Sequence, residues 1–262
     1  MGAGEAFNFA AYAFAPAALV TPLGALSILV TAVMADWLLG ERLHPLGMAG
    51  CVLCVTGSTV IVLHAPEERE ITSVHELAAL ATAPAFSAYA ALACGVAAAL
   101  AFCGGPRQGR DGREGRGAHS QNVMLVYIAI CSLMGSLSVM SCKALGIALK
   151  LTFRGQNQLD EPETWLFGIV VVVCIVTQMN YLNKALDLFN TAVVSPIYYV
   201  LFTTLTVTAS GVMYNELGLM TLTELLTELC AFGTVFVGVA LLHLTRDGES
   251  VERLLMRKAQ LP

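Results

Sequence analysis

The chain has 262 residues, of which 56% are hydrophobic and 13% are charged, and its formal net charge at pH 7 is −5. A soluble domain carries about 25% charged residues, so this composition leaves too little polar surface for a water-soluble globule. We therefore predict a membrane protein, which excludes nucleic-acid binding, a soluble enzyme and a disulfide-stapled fold as first interpretations.

Charge-free runs predict eight membrane-spanning helices, denoted S1 to S8 in chain order. The first such run, 6–35, is too long for one crossing of a core about 30 Å thick, and Pro16 and Pro22 divide it. The predicted spans are S1 at 3–15, S2 at 18–38, S3 at 46–65, S4 at 84–103, S5 at 122–149, S6 at 165–188, S7 at 191–214 and S8 at 222–245. The sequence therefore predicts an all-α, polytopic membrane helix bundle.

The distribution of charge predicts the orientation of this bundle. An even number of spans places both termini on one side, and most basic residues lie on that side, which the positive-inside rule makes cytoplasmic. The outer side carries three basic residues but ten acidic ones, Glu224 and Glu228 among them. An acidic outer mouth concentrates cations near it, although acidic loops are equally well explained by solubility.

The chain is expected to form one transporter domain at 1–247. Within it, we predict a first repeat at 1–65, a linker helix at 84–103 and a second repeat at 122–245. The Arg- and Gly-rich stretch 104–121 is expected to be a flexible cytoplasmic connector that touches anionic lipid headgroups. Residues 248–262 are expected to form a cytoplasmic tail.

S1–S2 and S6–S7 share four residues at a nearly constant offset, with one single-residue gap. The matched pairs are Asn8 and Asn183, Phe14 and Phe189, Pro22 and Pro196, and Glu41 and Glu216. The two copies start on opposite sides of the membrane, and such inverted repeats characterise secondary transporters, whose substrate site lies near mid-membrane at the repeat interface. S5 has no counterpart before S1, so we expect a shortened chain that lacks a first span; the alternative is a protein that works without it.

Polar residues inside spans are costly and are the first candidates for function. The predicted cation pathway comprises Glu5, Asn8, Tyr12, Asn180, Asn183 and Asp187. Three of these share one helical face of S1 and three share one face of S6, at equivalent places in the repeat, so the two faces are expected to meet across the bundle axis. Because Mg²⁺ takes oxygen ligands and usually one or two carboxylates, Glu5 and Asp187 are the predicted metal ligands.

Three further residues, Lys143, Lys184 and Gln178, are predicted to be accessory. Lys143 lies inside S5, where it is expected to neutralise an acid or hydrate the outer half of the bundle. The simpler alternative for Lys184 is an ion pair with Asp187 that merely faces the cytosol. Pro22 and Pro196 are predicted to break S2 and S7 near their starts and to act as hinges, although a proline early in a helix also needs no further role.

Several long stretches resemble one known family. They are GEAFNFAAYAFAPAALVTPLGALSILV at 4–30, GSTVIVLHAPEE at 57–68, NYLNKALDLFNTAVVSPIYYVLFTT at 180–204 and LLH at 241–243. They resemble the NIPA magnesium transporter family of the drug/metabolite transporter superfamily, and the sequence is most like that of the plant members. The resemblance implies Mg²⁺ transport, weaker handling of other divalent cations, about nine spans, and a location at the plasma membrane and early endosomes.

Together these patterns predict a Mg²⁺ transporter rather than an enzyme, because no catalytic signature occurs. Two alternatives stay open: an exporter of a small organic metabolite, and a truncated, non-transporting isoform that regulates a full-length partner. The expected partners are Mg²⁺ as transported substrate, other divalent cations and the lipid bilayer, with no nucleic acid and no cofactor. Association into a homo-oligomer is left open.

Overall fold

The computed structural model describes residues 9–39, 45–64, 71, 73–104, 118–189, 191–215 and 221–259. Every regular element in these ranges is a helix. The helices are α1 at 9–14, α2 at Ala17–Leu39, α3 at Pro45–His64, α4 at Val74–Thr82, α5 at Pro84–Gly104, α6 at Ala118–Phe153, α7 at Pro162–Leu188, α8 at Thr191–Met213 and α9 at Leu222–Ala259. The prediction of an all-helical architecture is confirmed for this part of the chain.

Six segments of these helices are long and apolar enough to cross a membrane. They are Pro45–Leu63, Pro84–Phe102, Asn122–Phe153, Pro162–Leu188, Val194–Met213 and Leu222–Thr245. These segments correspond to S3 through S8, which confirms a polytopic membrane bundle. Part of S1 and many side chains of S2 lie outside the described residues, so the count of eight spans stays a prediction.

One additional helix and two helix boundaries differ from the prediction. α4 occupies a stretch predicted to be a loop, and Ser73 is its N-cap: the Ser73 side chain accepts a hydrogen bond from the backbone N–H of Glu76 at 3.3 Å. α6 begins inside the predicted connector 104–121. α9 continues through most of the predicted tail, since Glu, Arg, Leu, Met, Lys and Ala are good helix formers.

Neither predicted hinge proline ends its helix. Pro22 and Pro196 are each the sixth residue of a continuous 23-residue helix, α2 and α8 respectively. The first four N–H groups of a helix have no intrahelical partner, so a proline this early removes only one or two helical hydrogen bonds. The prediction that these prolines break the spans is therefore wrong, whereas their role as hinges stays a prediction.

The pair formed by α3 and α9 is the most extensive helix contact in the described bundle. The two backbones approach closely at glycines: a Cβ added at Gly50 would lie 2.8 Å from the carbonyl oxygen of Gly238. Buried Cys54, Ile61 and Val235 fill the rest of this interface. Small residues at such positions let helices gain van der Waals contact where lipid offers no hydrophobic driving force.

α6 is the central helix and contacts α5, α7 and α8. The most apolar window of its span is 67% buried, against 17% for that of α7, which lies at the periphery. Met140, Ala144 and Ala148 of α6 pack into the largest apolar cluster. Any polar side chain on the inner faces of α6 is therefore held in the middle of the bundle.

Candidate cation pathway

The predicted S1 face is only partly described. Glu5 and Asn8 lie outside the described residues. Tyr12 is buried, and its hydroxyl forms a hydrogen bond with Thr21 Oγ1 at 3.3 Å, next to Pro22. Tyr12 therefore ties α1 to the proline-containing turn of α2.

The predicted S6 face is an exposed stripe of α7. Asn180, Asn183 and Asp187 are all exposed, and they continue the stripe that carries exposed Ile169 and Val176 nearer the start of the helix. The buried side of α7 packs against α6 instead. The structure thus keeps these three polar residues together on one face, and their pairing with the S1 face stays a prediction.

The accessory residues on α7 point in different directions. Lys184 is exposed, and its Nζ lies 5.2 Å from the centre of the Tyr181 ring. The simpler alternative, an ion pair between the exposed residues Lys184 and Asp187, stays a prediction. Gln178 turns inward: its Oε1 is buried without a hydrogen-bond partner among the described residues, and a Cβ added at Gly135 of α6 would lie 2.8 Å from it.

Lys143 is fully buried in α6. Its Nζ lies 4.3 Å from the centre of the Tyr214 ring, directly after the end of α8. A desolvated cation over an aromatic face is stabilised by about 2 kcal/mol, which offsets part of the cost of holding an ammonium group within a membrane. Lys143 therefore lies at the α6–α8 interface, and its role of neutralising an acid or hydrating the outer half stays a prediction.

A seam of buried hydroxyl groups lies in α6 and α8, and reasoning from the sequence missed it. This hydroxyl seam comprises Ser132, Ser136, Thr203, Thr206 and Ser210, all fully buried. The two α6 residues are one turn apart, and the three α8 residues fall at i, i+3 and i+7, on one helical face. That spacing is visible in the sequence. Because Ser and Thr are common in membrane spans, it does not by itself indicate a functional site.

Three hydroxyls of the seam keep their hydrogen-bonding capacity. Ser132, Thr203 and Thr206 form no hydrogen bond with any residue that the structure describes. On the same helix, exposed Thr204 and Thr208 each donate to the carbonyl four residues earlier at 2.8 Å. A hydroxyl that faces lipid must be satisfied by its own helix, whereas the interior hydroxyls remain available to a ligand or water.

Tyr89 of α5 contacts both helices of the seam. Its hydroxyl lies 2.8 Å from Ser136 Oγ and 3.1 Å from the carbonyl oxygen of Leu205, and Ser136 Oγ lies 2.9 Å from the carbonyl oxygen of Leu133. With two hydroxyl protons available, either Ser136 donates to Tyr89 and Tyr89 to Leu205, or Tyr89 donates to Ser136 and Ser136 to Leu133. The network connects α5, α6 and α8 at one level of the bundle.

Glu228 is a second feature that the sequence placed wrongly. It was counted with the outer-loop acids, but it lies inside the membrane-spanning part of α9 and is only 6% exposed. A buried carboxylate within a membrane span is costly, and such residues commonly mark ion pathways.

Comparison with known proteins assigns the family. The family description "Magnesium transporter NIPA" matches residues 1–248. The chain belongs to the NIPA family. The resemblance seen in the sequence is therefore confirmed, and the description of the family is that of a transporter.

Three NIPA relatives illustrate the match. The chain is 59% identical over 244 residues to the Arabidopsis thaliana protein named "Probable magnesium transporter NIPA4", covering 93% of this chain and 68% of that protein. It is 57% identical to Arabidopsis thaliana "Probable magnesium transporter NIPA3", covering 93% and 63% of the two chains. It is 46% identical to a Candida albicans "Probable magnesium transporter", covering 94% and 64%. The chain thus spans about two thirds of the length of these relatives, and no solved structure matches it.

Proposed function

We propose that this chain carries Mg²⁺ across a membrane. The observation that carries the proposal is the family match over residues 1–248, together with relatives that are themselves named magnesium transporters. The described helices make the chain an integral membrane protein. The relatives' names favour an inorganic cation over an organic metabolite as cargo. Other divalent cations are proposed as weaker substrates.

The central part of the pathway is proposed to run along the hydroxyl seam. Mg²⁺ dehydrates reluctantly and usually keeps several waters, and hydroxyl oxygens can accept hydrogen bonds from those waters. The unpartnered hydroxyls of Ser132, Thr203 and Thr206 support this placement. Glu5, Asn8, Tyr12, Asn180, Asn183 and Asp187 are proposed to line the rest of the pathway, with Glu5 and Asp187 as direct ligands.

An inverted repeat is proposed to underlie this pathway. α2 and α8 have the same length, and each carries its proline at the sixth position. The helices that the repeat pairs also pack on each other: α2 contacts α8, and α3 contacts α9. In addition, the Tyr199 hydroxyl of α8 donates to the Pro22 carbonyl of α2 at 2.8 Å. These contacts support two structurally related halves with the pathway between them.

Both termini are proposed to be cytoplasmic, and the protein is proposed to act at the plasma membrane and early endosomes. In this orientation the membrane potential favours entry of a cation by about 2.3 kcal/mol per charge per 100 mV, and by about twice that for a divalent ion. Uptake of Mg²⁺ then needs no nucleotide-driven motor.

The test is Mg²⁺ uptake by cells depleted of their own Mg²⁺ transporters and expressing this chain. Thr203→Val removes a seam hydroxyl at constant shape, and Thr204→Val removes a neighbouring hydroxyl that its own helix satisfies. We expect uptake by the unmodified chain and by Thr204→Val, and a several-fold lower rate for Thr203→Val. Equal rates of Mg²⁺ uptake for the two variants would show that the hydroxyl seam is not the pathway.

The same assay separates the two alternative functions. A metabolite exporter would give no Mg²⁺ uptake and would be stabilised by an organic ligand rather than by Mg²⁺. A non-transporting isoform would also give no uptake by itself, but it would change the uptake by a co-expressed full-length partner.

A further inference from the structure

Three metal-ligating side chains meet where α4 packs beside the start of α7. His75 Nε2 lies 3.3 Å from Glu161 Oε2, and His75 Nδ1 lies 3.3 Å from Glu163 Oε1. One ligand atom from each of the three residues fits within 4.8 Å of the others. This histidine–glutamate cluster lies at the bundle end that the positive-inside rule predicts to be outside, and none of its members belongs to the hydroxyl seam.

The two contacts of His75 do not suit a neutral imidazole alone. A neutral ring has one N–H donor and one lone pair, so it can donate to only one of the two carboxylates. The other contact then sets a lone pair against a carboxylate oxygen. In addition, Glu163 Oε2 is buried and has no hydrogen-bond partner in the described part of the chain. A bound cation would offset the charge of both carboxylates at once.

The distances fit a shared metal ion better than direct hydrogen bonds. A charge-assisted N–H···O bond is about 2.7–2.9 Å long, which is shorter than either 3.3 Å contact of His75. Nitrogen and oxygen ligands that lie about 2.0–2.1 Å from one tetrahedral metal are about 3.3 Å apart. The spacing between His75 Nε2 and Glu161 Oε2 is thus that of two ligands on one ion.

Gln158 holds the two halves of the cluster together. Its side-chain Oε1 accepts a hydrogen bond from the Val74 N–H at 3.3 Å, and its carbonyl accepts one from Thr164 Oγ1 at 2.7 Å. Its own N–H donates to Thr152 Oγ1 of α6 at 3.1 Å. The residues next to His75 and Glu163 are therefore fixed to one loop, which presents the ligands before any ion arrives.

We propose that His75 and Glu161 bind a divalent transition-metal ion of the zinc type, with the Glu163 carboxylate adding negative charge beside the ion. Imidazole suits Zn²⁺, whereas Mg²⁺ prefers an all-oxygen shell. His75 Nε2 and Glu161 bind the ion, and the Glu163 carboxylate, 3.3 Å from His75 Nδ1, adds negative charge beside it. His75 is 63% exposed, which leaves the remaining positions to water. The site is separate from the proposed Mg²⁺ pathway, and the bound ion links α4 to α7.

The test uses the purified full chain in detergent, stripped of metal and then mixed with zinc chloride. After desalting, we expect the unmodified chain to retain about one zinc equivalent more than His75→Ala or Glu161→Gln. Zinc should also raise its unfolding temperature, because an ion that binds only the folded state stabilises it. Glu163→Gln should retain less zinc than the unmodified chain, because it removes a negative charge beside the ion.

Glu76→Gln, which changes an acid next to His75 but outside the cluster, is the matched control and should retain zinc like the unmodified chain. Equal zinc retention by His75→Ala, by Glu161→Gln and by the unmodified chain would overturn the site, as would no retention by any of them. A millimolar excess of magnesium chloride should not displace the zinc. Because binding is measured without transport, failure of this site leaves the proposed Mg²⁺ transport untouched.

Discussion

Replacing Gly238 with alanine should force α9 away from α3. The added Cβ would lie 2.7 Å from Cys54 Sγ, 2.8 Å from the Gly50 carbonyl oxygen and 2.9 Å from the Cys54 backbone nitrogen. Nonbonded carbon contacts are optimal near 3.5–4.0 Å, so the helices must separate by about 0.7 Å. Two of the three atoms are backbone atoms, and no change of side-chain rotamer relieves them.

The expected cost follows from this separation. A gap of about 0.5–1 Å forfeits a quarter to a half of the dispersion energy of the contacts it opens, and overpacking of a well-packed interior costs about 1–3 kcal/mol. At about 2–4 °C per kcal/mol for a chain of this size, Gly238→Ala should lower the unfolding temperature by about 2–12 °C. The measurement is thermal unfolding of the purified chain in detergent, followed with a thiol-reactive dye that reacts with the buried cysteines, Cys54 among them, as they become exposed.

Gly233→Ala is the matched control, because it lies in the same helix and nothing lies within 4 Å of its added Cβ. Alanine has a higher helix propensity than glycine by about 1 kcal/mol, so this variant should unfold at or above the temperature of the unmodified chain. If Gly238→Ala were as stable as Gly233→Ala, the close approach of α3 and α9 would be refuted.

Three further predictions concern the pathway and the outer loop. Tyr89→Phe should lower the stability by about 1–3 kcal/mol, because it removes a half-buried hydroxyl that links three helices. Tyr181→Phe, which keeps its ring contact, should change the stability by less than about 0.5 kcal/mol in the same unfolding assay. Glu5→Gln and Asp187→Asn should each reduce Mg²⁺ uptake several-fold, and unchanged uptake in both would eliminate them as ligands while leaving the function intact. Ser73→Ala should destabilise α4 by about 0.5–2 kcal/mol through loss of its N-cap, seen as faster hydrogen exchange confined to Val74–Thr82; unchanged exchange there would show that the cap is not needed.

The helical membrane architecture could be predicted from the sequence because the lipid core has no water to form hydrogen bonds with the backbone. Polar backbone groups in the hydrocarbon core must bond within their own segment, so a long charge-free run predicts a helix directly. S3 through S8 were found in this way. α4 was missed because nine residues are too few to cross a membrane, although its N-cap residue Ser73 is visible in the sequence.

The candidate pathway shows what helical periodicity leaves undecided. Spacing correctly grouped Asn180, Asn183 and Asp187 on one face, but it does not reveal which way a face turns. Packing decided that this face is exposed and that the hydroxyls of Thr203 and Thr206 are buried instead. The difference arises because a hydroxyl can bond to its own helix or turn inward, and only neighbouring helices select between the two.

By itself, the sequence determined the membrane class, the main helices, the matched positions of Pro22 and Pro196, and the resemblance to the NIPA family. Only the tertiary structure decided which polar groups meet. His75 and Glu161 are far apart in the chain and become neighbours because α4 packs beside the start of α7. The sequence pattern of one helix indicates which of its residues can be buried or hydrogen-bonded. A site depends on contacts between helices, and the order of the helices along the chain does not specify those contacts.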